Sequence, residues 1–326
     1  MKKKLKIAVI MGGKSAEHEV SLASGEAVLN NIDKSKYSVL PVKITKSGTW
    51  KTDKTSKTID TLKKIKNIDV AFIIMHGPYG EDGTIQGLLE MLDITYTGAG
   101  VLSSSLSMDK LKAKEIMQAN GILIPDYLSF TKEEWKIDQN KIIEKVKKSL
   151  GFPCVIKPHD LGSSIGISIP KNTNDLKKGF NEALKYSNLI LIEKYINGRE
   201  IHCGILGNKE LRALPLDEVI SSNEFYDYEA KYKQGMSDHK MPADLSKDLT
   251  NKIQDLAKKI YKLVLCEGMA RVDFFVVKNR VYFNEINTIP GFTETSIFPK
   301  EAKAFGISYT KLIDEIINLA LSRNKK

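Results

Sequence analysis

Apolar residues fall into short, dense runs that end at glycine turns, alternating with stretches of helical spacing. Leu5 to Met11 is a compact apolar run that breaks at Gly12-Gly13, and helical spacing follows from about Ala16 to Leu29. Tyr37 to Ile44 alternates as a second strand does, and Val70 to Met75 is a buried strand ending at His76-Gly77. A helix starting at Asp82 and a short strand over Ile94 to Thr97 complete a first block. Lys46 to Lys66 is polar and reads as loop with a short helix. Strand, glycine turn, helix and strand in this order predict a small α/β unit with a mostly parallel sheet. In such sheets ligands gather at the carboxyl ends of the strands, where Gly12-Gly13 and His76-Gly77 lie.

Beyond about Val101 the pattern changes. Helices are predicted over Lys110 to Asn120, Gln139 to Leu150, Asn172 to Tyr186 and 246–265, and one more at the C-terminus. Strands are predicted over Phe152 to Lys157, Ile165 to Ile169, Leu189 to Glu193, 201–206 and 211–220, with a polar loop at 221–242. Lys194 to Gly198 reads as a linker. The fold class expected is α/β, turning α+β in the C-terminal part, with units at 1–100, 101–194 and 195–326. A chain of 326 residues is long enough for two or three cores.

The most specific chemistry lies in RVDFFVVKNRVYFNEINTIPGFTETS, residues 271–296. Side chains two apart on a strand share a face, so Arg271 pairs with Asp273 and Glu285 with Asn287. A three-residue turn at Lys278-Asn279-Arg280 would set Asp273 opposite Glu285 and Arg271 opposite Asn287. Two carboxylates and an amide oxygen beside a guanidinium suit a hard cation, Mg²⁺ above all where phosphate oxygens complete the shell. An ordinary solvated hairpin is the plainer reading, but apolar Phe283 and Ile286 flank the carboxylates, and buried carboxylates need partners.

Other signals are weaker. Gly13-Lys14-Ser15 lacks the earlier glycine of a P-loop, which would fall at Ala8. Gly162 to Gly166 fits a nucleophile elbow only formally, because a β-branched run follows where a helix is needed. It reads instead as a glycine-serine loop whose N–H groups could meet phosphate, with Lys157 just before it, or as a plain hairpin turn. His18, His76 and His159 each lie near a strand-end glycine turn. HGPYGEDGTIQG (76–87), with its four glycines and two acids next to a strand end, makes a poor core and a poor plain turn; something binds near it. The aromatic, charged stretch 224–232 is either a packed surface loop or a lid that excludes water.

Composition narrows the classes. With 42% hydrophobic and 28% charged residues the chain is of globular type, and no apolar run is long enough to span a bilayer. The start imitates a signal peptide, but Lys6 interrupts its apolar run, and a first strand fits better. The net charge of +10 is mostly dispersed lysine, without arginine tracts or interleaved aromatics, so neither nucleic acid nor membrane is expected as a partner. Cys154, Cys203 and Cys266 are far apart and odd in number, the pattern of core thiols in a cytoplasmic protein.

Eight segments in order, GGKSAEHEVSL (12–22), HGPYGEDGTIQG (76–87), SMDK (107–110), IKPHDLGSSIGI (156–167), EKYINGRE (193–200), EFYDYEAKY (224–232), RVDFF (271–275) and NEINTIPGFTETS (284–296), closely resemble the D-alanine–D-alanine ligases of the ATP-grasp superfamily. The resemblance runs over essentially the whole length. It implies three domains, with ATP gripped between the second and third. It implies ligation of two D-alanines through a D-alanyl phosphate, for peptidoglycan precursors, in a protein that is commonly a homodimer. By the same resemblance Asp273, Glu285 and Asn287 hold two Mg²⁺, with Mn²⁺ as a substitute. Arg271 and the Gly291 N–H stabilise developing negative charge. Lys110, Lys157 and Lys231 contact phosphates, Glu193, Lys194, Tyr195 and Ile196 meet adenine, and Glu200 meets ribose. Glu17 positions the first D-alanine, Ser163 and Tyr232 hydrogen-bond with Glu17, Ser296 holds the second substrate's carboxylate, and His76 lies near the reacting groups. The lid pattern with Tyr232 implies an amine rather than a hydroxyl nucleophile, and Ile297 stands where leucine is frequent in the family.

Overall fold

The computed structural model describes residues 3–55, 57–221 and 237–323. Three sheets carry the chain. The first has the order β3-β2-β1-β4, built from β1 (Leu5–Gly12), β2 (Tyr37–Ile44), β3 (Trp50–Lys51) and β4 (Val70–Ile73). β1 is parallel to both β2 and β4. Parallel neighbours need crossovers, and the helices His18–Asn31 and Thr58–Ile65 supply them. β1 is buried on both faces from Ile7 onward, which is why it reads as a continuous apolar run and not an alternating one. Its end turns sharply. Gly12 has φ +87°, and a Cβ there would lie 2.3 Å from the Ile44 carbonyl oxygen, so only glycine fits.

The second sheet, β5-β7-β6, is antiparallel and consists of β5 (Tyr127–Thr131), β6 (Cys154–Pro158) and β7 (Leu189–Lys194). Trp135 stacks on Phe180 at 4.0 Å between ring centres in the core beneath it. The third sheet comprises β8 (Arg199–Leu206), β9 (Arg212–Ala213), β10 (Asp217–Ser221), β11 (Ser237–Lys240), β12 (Met269–Val277) and β13 (Arg280–Asn287). Its order is β11-β10-β8-β12-β13, with β9 also on β8. Helix Lys247–Leu263 covers it. Ile253, Ala257 and Ile260 are its buried stripe, at the spacing of one helical face, and the Ser246 hydroxyl accepts from the Leu249 N–H to cap it.

After β13 the chain returns to the first sheet. Ile289, Phe292, Phe298, Leu312, Ile316 and Ile317 join the core of β1 and β4, and Phe292 meets Phe72 edge-on. This long-range return has no local sequence signature.

Several expectations differ from the fold. The strand expected over Ile165 to Ile169 is a single bridge, Ile156 to Ser168. The expected strand over 211–220 is two short strands, β9 and β10, and the expected polar loop at 221–242 contains β11. Strands β3 and β5 and the helices Val101–Met108, Lys132–Ile137 and Ile297–Ala304 were not expected. Among the described residues, no helix is long and apolar enough to cross a membrane. All three cysteines are buried and unpaired, and burial raises each thiol's pKa, Cys154 to about 11 and Cys266 to about 12.

Candidate active site

β12 and β13 bring the expected quartet together, by a different route from the one expected. Arg271 faces Asn287 and Asp273 faces Glu285. The connection is a two-residue turn at Lys278-Asn279, with Lys278 at φ +54°. A bulge after Asp273 then leaves Asn284 as the extra residue and restores the register that a three-residue turn would have given. The bulge also aims Asn284 at the cleft, where its Oδ1 accepts from Lys157 Nζ at 3.1 Å.

Arg271 donates from Nε and Nη2 to both Asp273 oxygens at 2.7 Å, and Asn287 Nδ2 donates to Asp273 Oδ2 at 3.0 Å. Lys110 Nζ lies 3.3 Å from Glu285 Oε2 and donates to the Leu161 carbonyl at 2.7 Å. Burial works against charge on Arg271, but the Asp273 carboxylate outweighs it and raises the pKa of the guanidinium. Among the described residues, no three His, Cys, Asp or Glu side chains converge as a metal cluster. The available donor set is the two carboxylates with the Asn287 amide.

Two cavities meet here. A cleft of about 890 Å³ runs between the second and third sheets, lined by Lys157, Glu193, Lys194, Tyr195, Ile196 and Glu200 among others. A pocket of about 140 Å³ is lined by Glu17, His76, Glu81, Arg271, Gly291 and Ser296 among others. Lys110, Gly162, Ser163 and Glu285 line both, so the cleft opens into the pocket at one shared wall. Ser163 on that wall and Ser164 beside it in the cleft have φ +50° and +58°, a strained backbone of the kind held at binding loops.

In the pocket, Ser163 Oγ donates to Glu17 Oε1, tying the glycine-serine loop to the first sheet. Glu81 accepts from the Gly77 N–H at 2.7 Å and the Ile289 N–H at 3.1 Å. Burial, then the nearby Glu17 charge, raises its pKa to about 8. Ser296 Oγ accepts from the Thr293 N–H at 3.0 Å. His76 is 4% exposed, with Nδ1 at 3.1 Å from the Ile289 carbonyl and Nε2 at 3.0 Å from Ser24 Oγ. A carbonyl can only accept, so Nδ1 carries the proton and Nε2 accepts from Ser24.

Burial lowers the pKa of His76 to about 4. Its unfolded value near 6.5 is higher, so the unfolded chain takes up the proton first as pH falls. His76 therefore contributes its full stability above about pH 6.5 and loses it as pH drops toward 4. Urea unfolding should show the native protein losing about 2 kcal/mol more than the His76→Gln variant between pH 7.5 and pH 5. Parallel stability curves for the two proteins would rule this out.

On the cleft side, Glu193 is 1% exposed and is engaged through both oxygens, by Lys157 and by Lys114, each at 3.0 Å. The Lys194 N–H is taken by the Asp126 carbonyl at 2.8 Å. Glu200 Oε1 lies 3.1 Å from His202 Nε2. Lys231 and Tyr232, with the rest of the expected lid segment 224–232, lie outside the described residues. Sequence reasoning missed Glu81, Lys114, Asn284 and His239, which also lines the pocket. Glu81 sits in the glycine-rich string already singled out, and Lys114 follows Lys110 by one helical turn, so both had a faint signal.

Comparison with known proteins agrees along the whole chain. Residues 6–99 match the family model described as D-ala D-ala ligase N-terminus, and residues 116–318 match D-ala D-ala ligase C-terminus. The D-alanine–D-alanine ligase of Caldicellulosiruptor bescii is 44% identical over 352 residues, covering 99% of this chain and 97% of the relative. That of Clostridium novyi is 44% identical over 342 residues, covering 99% and 100%. Among solved structures, the VanG D-Ala:D-Ser ligase from Enterococcus faecalis superposes with a TM-score of 0.84 at 33% identity, covering 98% of this chain and 100% of that one. The D-alanine–D-alanine ligase from Bacillus anthracis complexed with ATP has a TM-score of 0.82 at 36% identity, with 98% of both chains covered.

Proposed function

The chain belongs to the D-alanine–D-alanine ligase family, and we propose that it joins two D-alanines at the expense of ATP, forming D-alanyl-D-alanine, ADP and phosphate for peptidoglycan precursors. The observation that carries this reading is the wall shared by a nucleotide-sized cleft and a small polar pocket. A γ-phosphate at that wall would lie beside Lys110 and Glu285 and next to a carboxylate held in the pocket. The first D-alanine carboxylate attacks the γ-phosphorus, and the bond to the β,γ-bridging oxygen breaks to release ADP. The amine of the second D-alanine then attacks the acyl carbon, phosphate leaves, and the amine gives up a proton. A free carboxylate is a poor electrophile; the acylphosphate carries a good leaving group.

Lys110 and Lys157 hold the phosphates, and the linker Lys194 to Ile196 meets adenine. Glu193, on the cleft wall and engaged by two lysines, adjoins the adenine place, and Glu200 takes the ribose. Glu17, fixed by Ser163, receives the first ammonium. Arg271 and the Gly291 N–H stabilise charge on the transferring group and the tetrahedral oxyanion, and Ser296 takes the second carboxylate. His76, neutral and bonded on both nitrogens, positions the Ile289 segment and does not act as an acid. Asp273, Glu285 and the Asn287 amide oxygen fit Mg²⁺ as an all-oxygen donor set: Glu285 and Asn287 line the pocket at the proposed phosphate place, and Asp273 stands directly behind them, held by Arg271 and Asn287. When bound, Mg²⁺ would neutralise phosphate charge there. We retain the division 1–100, 101–194 and 195–326, with the C-terminal helices packed back on the first sheet, and a cytoplasmic homodimer, as parts of this proposal.

The test is ADP release with MgATP and D-alanine, L-alanine, or D-alanine with D-serine, with products identified by mass. D-alanine-dependent ADP with a D-alanyl-D-alanine product is expected. A mixed D-alanyl-D-serine product dominating when both amino acids are present would favour the specificity in the name of the Enterococcus faecalis neighbour. No turnover with any of these would reject the substrate assignment.

A further inference from the structure

Lys114 has no place in the chemistry above. It is fully buried on the helix Lys110–Ala119, whose Ala113 and Met117 pack into the core beneath the third sheet. It does not line the nucleotide cleft, whereas Lys157, Glu193 and Asn284 do. A buried lysine is costly unless paired, and Lys114 has a carboxylate within reach, Glu193, at 3.0 Å. That contact is an ion pair without the angle of a directed hydrogen bond. The other oxygen of Glu193 takes a hydrogen bond from Lys157 at 3.0 Å, and Lys157 also donates to Asn284 at 3.1 Å. Helix, second sheet and third sheet are thus joined by one chain, Lys114–Glu193–Lys157–Asn284, buried from Lys114 to Lys157 and reaching the cleft at half-buried Asn284.

The charges do not cancel. Two lysine amines face one carboxylate; burial lowers the pKa of Lys114, and the Glu193 carboxylate works against that and favours the ammonium form. Burial favours the neutral acid in Glu193, but Lys114 and then Lys157 outweigh it and lower its pKa. Without Lys114, Glu193 and Lys157 would form a closed neutral pair, and the cleft wall would lose the share of its positive charge that Lys157 supplies, with Lys110 left on the same wall.

We propose that Lys114 is a positioning residue that balances Glu193 from behind the cleft, leaving the charge of Lys157 available to the phosphates of a bound nucleotide. This rests on the reading of the cleft as the ATP site, and it adds a residue that touches no ligand. Lys157 is a phosphate group's partner only because a second, hidden lysine satisfies the carboxylate that would otherwise neutralise it.

The test compares binding of ATP and adenosine by calorimetry in the full-length protein. The ratio of the two affinities isolates the phosphates and cancels any loss at the adenine. Lys114→Met should lower this ratio about tenfold. Lys114→Met combined with Glu193→Gln should restore it, because Lys157 then has no carboxylate to neutralise it. Glu193→Gln alone should keep the ratio at or above that of the native protein, and it serves if Lys114→Met does not fold. An unchanged ratio in Lys114→Met would overturn the inference. So would a double variant as weak as the single one, which would make Lys114 a packing residue, or a fall in the ratio of Glu193→Gln. Native protein that binds adenosine and ATP equally would instead reject the ATP reading of the cleft, and this inference with it.

Discussion

Replacing Asp273 with alanine is expected to cut D-alanine-dependent ADP release at least about a thousandfold. Asp273 is 2% exposed, and three hydrogen bonds converge on it, two from Arg271 and one from Asn287. Its removal would strip a carboxylate from the place where phosphates and Mg²⁺ are proposed to sit. It would also free Arg271 to turn away and leave that guanidinium short of its counter-ion, a stability cost of up to about 3 kcal/mol. Asp273→Asn separates the two effects, since it keeps the shape and an acceptor for Arg271 but loses the charge. If charge at this position matters, the Asn variant should be nearly as slow as the Ala variant while melting closer to the native protein. Glu285→Ala should behave similarly in activity. A coupled ADP assay with circular dichroism as the fold control decides it, and ordinary turnover in any of these variants would remove Asp273 and Glu285 from the proposed metal site.

The convergence of this quartet was legible because a strand's side chains alternate, so faces follow from spacing alone. The route was not. Whether Lys278 to Arg280 makes a two- or three-residue turn depends on backbone choices that the residue types do not force, and the bulge at Asn284 compensates for the shorter turn. The strand expected over Ile165 to Ile169 failed for a related reason. β-branched residues favour extension only where a partner strand is available, and here β6 offers a single bridge. Glu81 and Lys114 were hard to see because an ionisable group inside the fold is held by partners far away in sequence, Ile289 beside nearby Gly77 in one case and Glu193 in the other. The packing of Ile289 to Ala320 on the first sheet is long-range in the same sense. The glycine turns after β1 and β4 were readable because Gly12 and Gly77 sit at positive φ, a local backbone demand, while the close approach of Ile44 and Glu17 that also requires glycine there had no sequence signal.

Replacing Arg271 with methionine is expected to lower kcat and kcat/KM by a similar factor, about 10²–10³, with ATP affinity little changed. The prediction follows from where the guanidinium lies. It lines the small pocket and not the cleft, so it is remote from the parts of ATP that dominate binding. Asp273 grips it through Nε and Nη2, which fixes its plane before any ligand arrives. A fixed cation beside the reacting groups contributes most where negative charge develops, in the transition state, and least to the ground state. The competing view is that Arg271 serves only as counter-ion to Asp273. On that view Arg271→Met combined with Asp273→Asn, which removes both charges, should recover activity relative to Arg271→Met. On the view argued here the double variant stays as slow as the slower single one, because both side chains act on the same phosphoryl group. A double-mutant cycle on single-turnover ADP formation distinguishes the two, and recovery in the double variant would show that Arg271 is needed for the fold of the site and not for its chemistry.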